Sequence, residues 1–459
     1  MSKHILIMFV TLFFYMTPFK VQADSGGYIV KFVPDTIPPD IKFERLFDNT
    51  YYTKDINNLN GLEGYVEYVE PDDMVELIEP VNRRTKTLQR NSVGISETQS
   101  WQSEMVKADF AWELATYGNG VNVAIIDSGC NTHTDIIGNL AGGHNYILNT
   151  DDYSDNIGHG THVAGIIAAE HNNFGIMGVA PKVQIYALKC FDSNYQTTVS
   201  MLAKAIKSAV DDYNCRVINM SLGLKSDRET LHEAIQYAAA KGAIIIASVG
   251  NDGDDIIYYP AGYDEVIGVG SVGSTKEISY YSQVNDSVFV VAPGESYESL
   301  QGVNDYTIKQ GTSQAAPLVS AAAAILVSAD NNMSLESFKN LIMNCSEDLG
   351  DAGYDTEYGY GLLNIRKMLD DRIGDYYVSQ INANELIIYN NTSDDFSAVG
   401  IWGEYKNNMY VNGKTDEIFV PSRDKLKIEF LYNNEARFFL WDSLNSMRPL
   451  TAMRKSVTN

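Results

Sequence analysis

The chain has little cysteine and little positive charge for its 459 residues. Its four cysteines stand singly, with no C-x-x-C pair. Neither a zinc ribbon nor a dithiol redox motif can be built from that spacing, and we expect the thiols to be buried as small hydrophobic side chains. Lys and Arg number 34 against 59 Asp and Glu, a net charge of −25. Because polyanions are bound by clustered Lys and Arg, nucleic acid is not an expected partner.

Apolar runs long enough to cross a bilayer are also missing. The N-terminal run from Ile5 to Met16 is shorter than the about 20 residues that a membrane span needs. Lys3 precedes it and Val21-Gln22-Ala23 follows it, so it predicts a secretory signal peptide over residues 1–23. The closest later stretch, Leu318 to Ala329, is interrupted by serine. We therefore expect a secreted, extracellular protein with no transmembrane anchor.

The hydrophobic pattern divides the rest of the chain into three parts. Short β-forming runs at 28–33 and 65–69 predict a small α+β unit that continues into a basic linker, together residues 24–95. Over 96–372, buried apolar strands alternate with helical stretches, which predicts an α/β fold with a mostly parallel sheet and helices on both faces. Short strands separated by turns over 375–459 predict a small all-β, sandwich-like domain.

Four polar residues stand at the ends of the α/β elements. Asp127 ends an apolar strand, where parallel sheets place their chemistry, although alone it could bind a ribose or a metal or cap a turn. His159 opens an apolar helix and could instead form a metal pair with His162. Ser313 starts an Ala-rich helix, either as an N-cap or as a nucleophile beside unpaired N–H groups. Asn251 follows a strand and could offer an amide to the same oxyanion.

Taken together, these residues resemble the subtilisin-like serine proteases. Their order is that of the family's triad and oxyanion asparagine, and the resemblance covers 97–370. The motifs that carry it are Ile125-Ile-Asp-Ser-Gly129, Gly158 to Gly165, Gly178-Val-Ala-Pro181, Ile218-Asn-Met-Ser-Leu-Gly223 and Gly311-Thr-Ser313. The resemblance implies a serine endopeptidase with Ser313 as nucleophile, His159 as base and Asp127 as its orienting partner. Asn251 would then belong to the oxyanion hole.

By the same resemblance, the active site would bind extended protein or peptide substrates by strand addition. The expected substrate-binding residues are Ser221, Leu222 and Gly223 on one side and Ala247, Ser248, Val249 and Gly250 on the other. Tyr258 would shorten the pocket for the residue before the cut. The carboxylates of Asp252, Asp254 and Asp255 would approach its rim, so Lys or Arg is expected there over Phe. A solvated acidic loop is the alternative interpretation of these aspartates.

The resemblance also extends beyond the catalytic residues. Residues 28–80 resemble the family's propeptides, so a self-processed zymogen is expected, with the propeptide as intramolecular inhibitor. The chemistry would need no cofactor. Asp135 and Asn173 match the family's calcium site in residue type, although the loop 172–176 looks one residue shorter, so a structural Ca²⁺ is left open. Gln314 follows the nucleophile where Met is frequent. The C-terminal domain could bind protein, glycan or the cell surface.

Two other functions remain as alternatives. A catalytically silent scaffold would act as an extracellular binding module through residues 375–459, and a serine-directed fluorophosphonate would not label it. A metallohydrolase using His159 and His162 would be inhibited by chelators and indifferent to serine reagents.

Overall fold

The computed structural model describes residues 27–34, 36, 43–78, 86–88, 96–114, 116–373, 376–382, 385–406, 409–429, 435–441 and 454–455. By its contacts the chain separates into Met1–Met74 with Thr198–Ser200, and Val75–Thr197 with Met201–Asn459. The predicted signal peptide and its cut after Ala23 lie outside the described residues, as does most of the linker over 79–95. The predicted domain boundaries near 95 and at 372–375 stay predictions.

The first unit holds a four-stranded antiparallel sheet. Its strands are β1 (Tyr28–Phe32), β2 (Glu44–Phe47), β3 (Thr50–Thr53) and β4 (Val66–Pro71), in the order β2-β3-β1-β4. Val30, Phe32 and Tyr51 form its small buried core. Two 3₁₀ turns, Ile56–Leu59 and Glu63–Tyr65, lead from β3 to β4. This part of the chain is small and β-rich, as its short strand patterns predict.

The second unit is built on a seven-stranded parallel sheet. Its strands and those around it are β5 (Met74–Leu77), β6 (Lys86–Leu88), β7 (Asn122–Asp127), β8 (Leu140–Asn145), β9 (Gln184–Lys189), β10 (Gln196–Thr198), β11 (Val217–Met220), β12 (Leu222–Gly223), β13 (Ile244–Ser248), β14 (Val266–Val272), β15 (Val290–Pro293), β16 (Tyr297–Gln301) and β17 (Asp305–Lys309). The sheet order is β15-β14-β13-β11-β7-β9-β8. Every recorded pairing in it is parallel, which confirms the predicted fold class.

Helices cover this sheet because its strands are apolar on both faces. They are α1 (Trp101–Met105), α2 (Ala108–Glu113), α3 (His159–Ala168), α4 (Val199–Asp211), α5 (Glu229–Ala240), α6 (Thr312–Ala329), α7 (Leu335–Cys345) and α8 (Ile365–Ile373). Among the described helices, α6 has the length and apolar composition of a membrane span, but 89% of that window is buried inside the protein. It is a core helix. All four cysteines are buried, as predicted, and they are unpaired.

The chain after Met74 pairs with two other strands of the second unit. β5 pairs antiparallel with β12, with Leu77 opposite Leu222 and Glu76 opposite Gly223. β6 pairs antiparallel with β17, the strand that leads to the start of α6. β5 thus precedes Ile78 and pairs with β12, whereas β6 pairs with β17, which ends at Lys309 shortly before Ser313.

The C-terminal part contains two antiparallel sheets, which confirms an all-β fold there. They are built from β18 (Tyr376–Asn382), β19 (Glu385–Asn390), β20 (Phe396–Lys406), β21 (Met409–Val420), β22 (Lys425–Glu429), β23 (Glu435–Trp441) and β24 (Arg454–Lys455). The strand orders are β18-β19-β22 and β21-β20-β23-β24. Buried side chains of both sheets, including Ile388 and Trp402, form one core. Tyr389 packs edge-on against Phe110 of α2, with ring centroids 5.5 Å apart.

Candidate active site

Asp127 and His159 form a buried pair at the carboxyl end of the parallel sheet. Asp127 is the last residue of β7, and His159 is the first residue of α3. The Nδ1 of His159 lies 2.8 Å and 2.9 Å from the two carboxylate oxygens of Asp127. A carboxylate accepts, so Nδ1 carries the proton and Nε2 is left as the basic nitrogen. Nε2 is buried and has no hydrogen-bond partner among the described residues.

Ser313 lies in the first turn of α6, where unpaired backbone N–H groups and the helix dipole favour negative charge. Its side chain is buried. The Oγ donates a hydrogen bond of 2.8 Å to the carbonyl oxygen of Ile78. The chain's own peptide carbonyl is therefore in contact with the predicted nucleophile. Sequence patterns gave no sign of this contact, because Ile78 and Ser313 are 235 residues apart.

Asn251 is oriented by the residue before the nucleophile. Its Oδ1 accepts hydrogen bonds from the backbone N–H and the hydroxyl of Thr312, each at 2.9 Å. The amide is thereby fixed with its NH₂ group on the opposite side. Gly311 makes room for that group: its φ is +153°, and a Cβ there would lie 2.8 Å from Nδ2 of Asn251. This arrangement suits an amide that donates to a charge forming beside Ser313.

The chain approaches Ser313 as an extended strand held on both sides. The backbone of Glu76 and Leu77 pairs with Leu222 and Gly223. On the other side, the N–H of Leu77 donates to the carbonyl of Tyr195 at 3.3 Å. A cleft of about 470 Å³ runs beside this segment. It is lined by Glu76, Leu77, Ile78, Asn194, Tyr195, Gln196, Gly223, Asn251, Asp252 and Tyr258. An extended polypeptide thus occupies the predicted substrate position.

Three of the predicted pocket residues come together beside Ile78. Tyr258 lies between Gly223 and Gly250, and a Cβ added to either glycine would lie 2.9 Å from the tyrosine ring. Gly250 also accepts a hydrogen bond of 3.2 Å from the hydroxyl of Thr312. The two strand ends and Tyr258 therefore form one wall around the residue whose carbonyl meets Ser313.

The remaining predicted pocket residues have other surroundings. Ser221 lies behind the nucleophile, where its Oγ donates to the carbonyl oxygen of Ser313 at 3.1 Å. Leu222 contributes its backbone to the pairing with β5. Ala247, Ser248 and Val249 have no exposed surface. Ala247 and Ser248 lie in β13 between neighbouring strands of the parallel sheet. Ala247, Ser248 and Val249 therefore fix the position of Gly250, which follows them.

The acidic rim expected from the sequence is not a set of free carboxylates. Asp252 accepts from the Nζ of Lys225 at 2.8 Å and from the hydroxyl of Tyr258 at 2.7 Å. The Oδ1 of Asp254 accepts from the side chain of Gln283 and, at 3.1 Å, from the N–H of Ile256. Asp252 and Asp254 therefore already accept hydrogen bonds from donors within the protein, and the sequence could not show that Lys225 is beside Asp252.

Asp155 was not among the predicted site residues, yet it organises the start of α3. Its Oδ1 accepts from Ser128 Oγ at 2.8 Å and from the N–H groups of Ile157 and Gly158 at 2.9 Å and 2.7 Å. Its Oδ2 accepts from the N–H and hydroxyl of Thr161 at 2.9 Å and 2.7 Å. This buried carboxylate joins the loop after Asp127 to the helix that begins at His159. An Asp in the turn before a helix was the available sequence signal.

Two buried lysines balance the carboxylates of this region. The Nζ of Lys309 donates to the carbonyl of Gly158 at 2.7 Å, and that of Lys189 to the carbonyl of Ser128 at 2.5 Å. Burial lowers the pKa of both ammonium groups, and the charges of nearby carboxylates act in the opposite direction. The backbone beside Asp127 and beside His159 is thereby fixed by charged donors.

The alternative metal pair of His159 and His162 is not formed. The Nε2 of His162 lies 3.2 Å from the carbonyl oxygens of Tyr297 and Thr307, so this nitrogen carries a proton and donates. Burial holds the pKa of His162 well below its usual range. Among the described residues, no three His, Cys, Asp or Glu side chains come together to hold a metal. The geometry gives no support to the metallohydrolase alternative.

The predicted calcium residues are only partly brought together. The Oδ1 of Asp135 accepts from the side-chain amide of Asn172 at 3.0 Å, and its Oδ2 from the N–H of Ile176 at 3.0 Å. Asn173 is exposed and contributes a backbone N–H to Glu97 instead, at 3.3 Å. The expected partner of Asp135 is therefore corrected from Asn173 to its neighbour. The backbone turn at Asn173, with φ of +73°, directs its side chain outward.

Two carboxylates approach the loop 172–176. Burial raises the pKa of Asp135 to about 7, and the described residues give its carboxylate no ion pair. Glu97 brings a second carboxylate to the loop, where it accepts from the N–H of Asn172 at 2.7 Å. Carboxylate, amide and backbone oxygens are the ligands that Ca²⁺ prefers. In this structure both oxygens of Asp135 accept from N–H or O–H donors, and the side-chain oxygen of Asn172 accepts from the N–H of Phe174 at 3.1 Å.

The geometry is that of a subtilisin-like serine endopeptidase. Residues 118–361 match the model of the subtilase family, and the chain belongs to that family. Subtilisin DY of Bacillus licheniformis is 38% identical over 275 residues, 59% of this chain and 98% of that protein. A thermostable alkaline protease of Halalkalibacterium halodurans is 29% identical over 363 residues, 79% of this chain and 97% of its own.

A third relative matches over a smaller share of its length. The minor extracellular protease Epr of Bacillus subtilis is 37% identical over 279 residues, which are 60% of this chain and 42% of Epr. The recognition from sequence of a subtilisin-like serine protease is confirmed, and so is the prediction of a serine endopeptidase that acts on proteins or peptides.

Proposed function

We propose that this protein is a secreted subtilase made as a zymogen, which cuts its own chain between Ile78 and Glu79. The hydrogen bond from Ser313 Oγ to the carbonyl oxygen of Ile78, 2.8 Å long, carries the proposal. The strand that leads to Ile78 is paired as a substrate strand would be, so the bond after it is the one offered to the nucleophile. Until the segment that ends at Ile78 leaves the cleft, it excludes other substrates.

The proposed chemistry is acyl transfer from the peptide carbonyl to Ser313 and then to water. Ser313 Oγ bonds to the carbonyl carbon while Nε2 of His159 takes its proton. The amide C–N bond then breaks, and His159 returns the proton to the leaving nitrogen. Asp127 holds the imidazole tautomer throughout, through the contacts of 2.8 Å and 2.9 Å. Water repeats both steps, releasing the new carboxyl group and free Ser313.

The oxyanion of each tetrahedral intermediate would form at the start of α6. There the backbone N–H of Ser313 and the amide of Asn251 can donate to it. Both donors are held before reaction begins, because Thr312 fixes the orientation of the asparagine by two hydrogen bonds. Charge is thus stabilised where it develops, without reorganising the site.

Secretion is supported by the N-terminal signal pattern over residues 1–23. It is also supported by the similarity to Epr, which its name describes as extracellular. The four buried, unpaired cysteines argue neither for nor against secretion, because they act as packing residues.

A structural calcium ion at the Asp135 loop is a separate part of the proposal. Asp135 and Glu97 would hold it, with backbone carbonyls completing the shell, and it would stabilise the fold without entering the chemistry. Thermal unfolding with calcium and with a chelator tests this in wild type and in Asp135→Asn. Calcium should raise the melting temperature of wild type only. An equal response of the two proteins, or none in wild type, would contradict the site.

A fluorophosphonate probe tests the proposed function itself. Mature wild-type protein should be labelled at Ser313, and its N-terminal residue should be Glu79 after the first cut. Ser328→Ala, on the same helix, is the matched control and should be labelled normally. A folded wild-type protein that takes no label would support the silent scaffold instead.

A further inference from the structure

The pocket for the residue before the cut is closed by the ring of Tyr258. A Cβ at Gly223 would lie 2.9 Å from Cδ1 of this ring, and a Cβ at Gly250 would lie 2.9 Å from Cδ2. Such distances leave no room for even a methyl group between the ring and either wall. The ring therefore spans the space between the end of β12 and the turn after β13.

The side chain of Ile78 reaches the same wall. A Cβ at Gly223 would lie 3.3 Å from Cδ1 of Ile78, close to its distance from the tyrosine ring. Ile78 is 6% exposed. The residue whose carbonyl meets Ser313 thus rests against Gly223 beside Tyr258, and a branched side chain of four carbons is already in contact there. A longer aromatic side chain would need the space that the Tyr258 ring occupies.

Tyr258 is held in this position by two charged residues. Its hydroxyl donates to Oδ2 of Asp252 at 2.7 Å, and Nζ of Lys225 donates to the same oxygen at 2.8 Å. The ammonium of Lys225 also lies 5.3 Å from the centroid of the tyrosine ring, within cation–π range. We call these three residues the Lys225–Asp252–Tyr258 clamp. Each member contacts the other two.

The protonation states of Tyr258 and Asp252 favour the hydrogen bonds of the clamp. Burial and the charge of Asp252 raise the pKa of the Tyr258 phenol to about 12, so it stays protonated and donates at neutral pH. The hydrogen bond from Lys225 lowers the pKa of Asp252 below its usual range. The carboxylate near the pocket is therefore already neutralised by Lys225. A substrate Lys or Arg would meet a paired anion and a like charge.

We propose that the Lys225–Asp252–Tyr258 clamp gives this enzyme a preference for branched aliphatic residues, Ile, Val or Leu, immediately before the cut. Aromatic residues are disfavoured by the position of the ring, and basic residues by the pairing of Asp252 with Lys225. This replaces the sequence-based expectation of Lys or Arg, and it rests on the proposed function of the site. Ile78, the residue before the proposed cut in the chain itself, fits this preference.

Peptides that differ only in Ile, Phe or Arg before the cut test the proposal through kcat/KM. Wild type should favour Ile over both others by at least about tenfold, the scale on which hydrophobic pockets discriminate size. In Tyr258→Gly the ratio of Phe to Ile should rise at least about tenfold. Asp252→Asn and Lys225→Met, which keep the ring but release it, should raise the same ratio by a smaller factor.

The chain supplies a matched control for the clamp variants. Tyr237 donates to Asp211 at 2.9 Å, and Lys241 lies 3.5 Å from the same carboxylate, so a Lys-Asp-Tyr cluster of the same kind exists where α4 ends and where the chain leaves α5. Asp211→Asn should leave the ratio of Phe to Ile unchanged. A change as large as that of Asp252→Asn would overturn the proposal, because it would show an effect that any surface cluster can cause.

Two further outcomes would overturn the clamp proposal. One is a wild-type preference for Phe or Arg, and the other is an unchanged ratio in Tyr258→Gly. Fluorophosphonate labelling of every variant separates these from failure of the proposed function, since a labelled enzyme with the wrong preference refutes only the clamp. If Tyr258→Gly does not fold, Tyr258→Leu, which removes the hydroxyl and the ring, replaces it with the same expected direction.

Discussion

The hydroxyl of Ser313 donates to the carbonyl oxygen of Ile78, and Nε2 of His159 has no partner among the described residues. The hydroxyl proton is thus directed at the Ile78 carbonyl and not at His159. Catalytic hydrogen bonds are often loose before reaction and tighten as the nucleophile attacks. A rotation of the serine about χ1 is the step we expect to convert this contact into attack.

Self-processing should depend on Ser313. Expressed without other proteases, Ser313→Ala should accumulate as a precursor that begins at Asp24, because no nucleophile is left to cut the chain after Ile78. Intact mass and N-terminal sequencing measure this. Ser328→Ala, a serine on the same helix, should mature like wild type. Normal maturation of Ser313→Ala under these conditions would refute self-cleavage.

The oxyanion role of Asn251 predicts a loss confined to the transition state. Asn251→Ala should lower kcat by roughly 10²–10³, about 3–4 kcal/mol, with little change in KM; this is the loss known for the corresponding amide of subtilisin. Thr312→Val removes one of the two hydrogen bonds that orient the asparagine and should lower kcat by a smaller factor. A variant that mainly raises KM would place Asn251 in substrate binding.

Gln314 should make the enzyme tolerant of peroxide. Its side chain is fully buried next to the nucleophile. An amide is not oxidised by peroxide, whereas a methionine in that position becomes a bulky polar sulfoxide. Wild type should therefore keep its activity at peroxide doses that inactivate Gln314→Met. Mass spectrometry assigns the oxidised residues. Inactivation of wild type with oxidation beside Ser313 would contradict this expectation.

The fold could be predicted because it depends on local patterns, and the Asp127–His159 pair could be predicted because its motifs resemble those of the subtilisin-like proteases. An apolar strand ending in Asp127 and an apolar helix beginning at His159 each have a position in a parallel sheet that does not depend on distant residues. The contacts of Ile78 and Lys225 could not be predicted in this way. Both depend on which loops meet after folding, and the sequence contains no periodic signal for that.

The loops also explain the errors of detail. In the segment 172–176, Asn173 has a positive φ, which turns its side chain outward. Asn172 faces Asp135 instead, so the sequence-based choice of asparagine was wrong by one position. Asp155 was overlooked for a related reason. Its role consists of hydrogen bonds to five donors in the loop and helix around it, and residue type alone does not reveal them.

Asp155 should act as a positioning residue for His159. Asp155→Ala leaves the five donors that now meet its carboxylate without their partner, and unpaired buried donors cost about 1–3 kcal/mol each before relaxation. We expect unfolding to become easier by at least about 3 kcal/mol, and kcat to fall more than KM changes, because the start of α3 loses its anchor. Denaturant unfolding and steady-state kinetics measure the two effects.

Asp151→Ala is the control for this prediction. Its side chain is 95% exposed, and the substitution should change neither the stability nor kcat. Asp155→Asn keeps one acceptor oxygen and should recover part of the stability and part of kcat. If Asp155→Ala lost stability while kcat of the folded fraction stayed at the wild-type value, the carboxylate would support the fold without positioning the histidine.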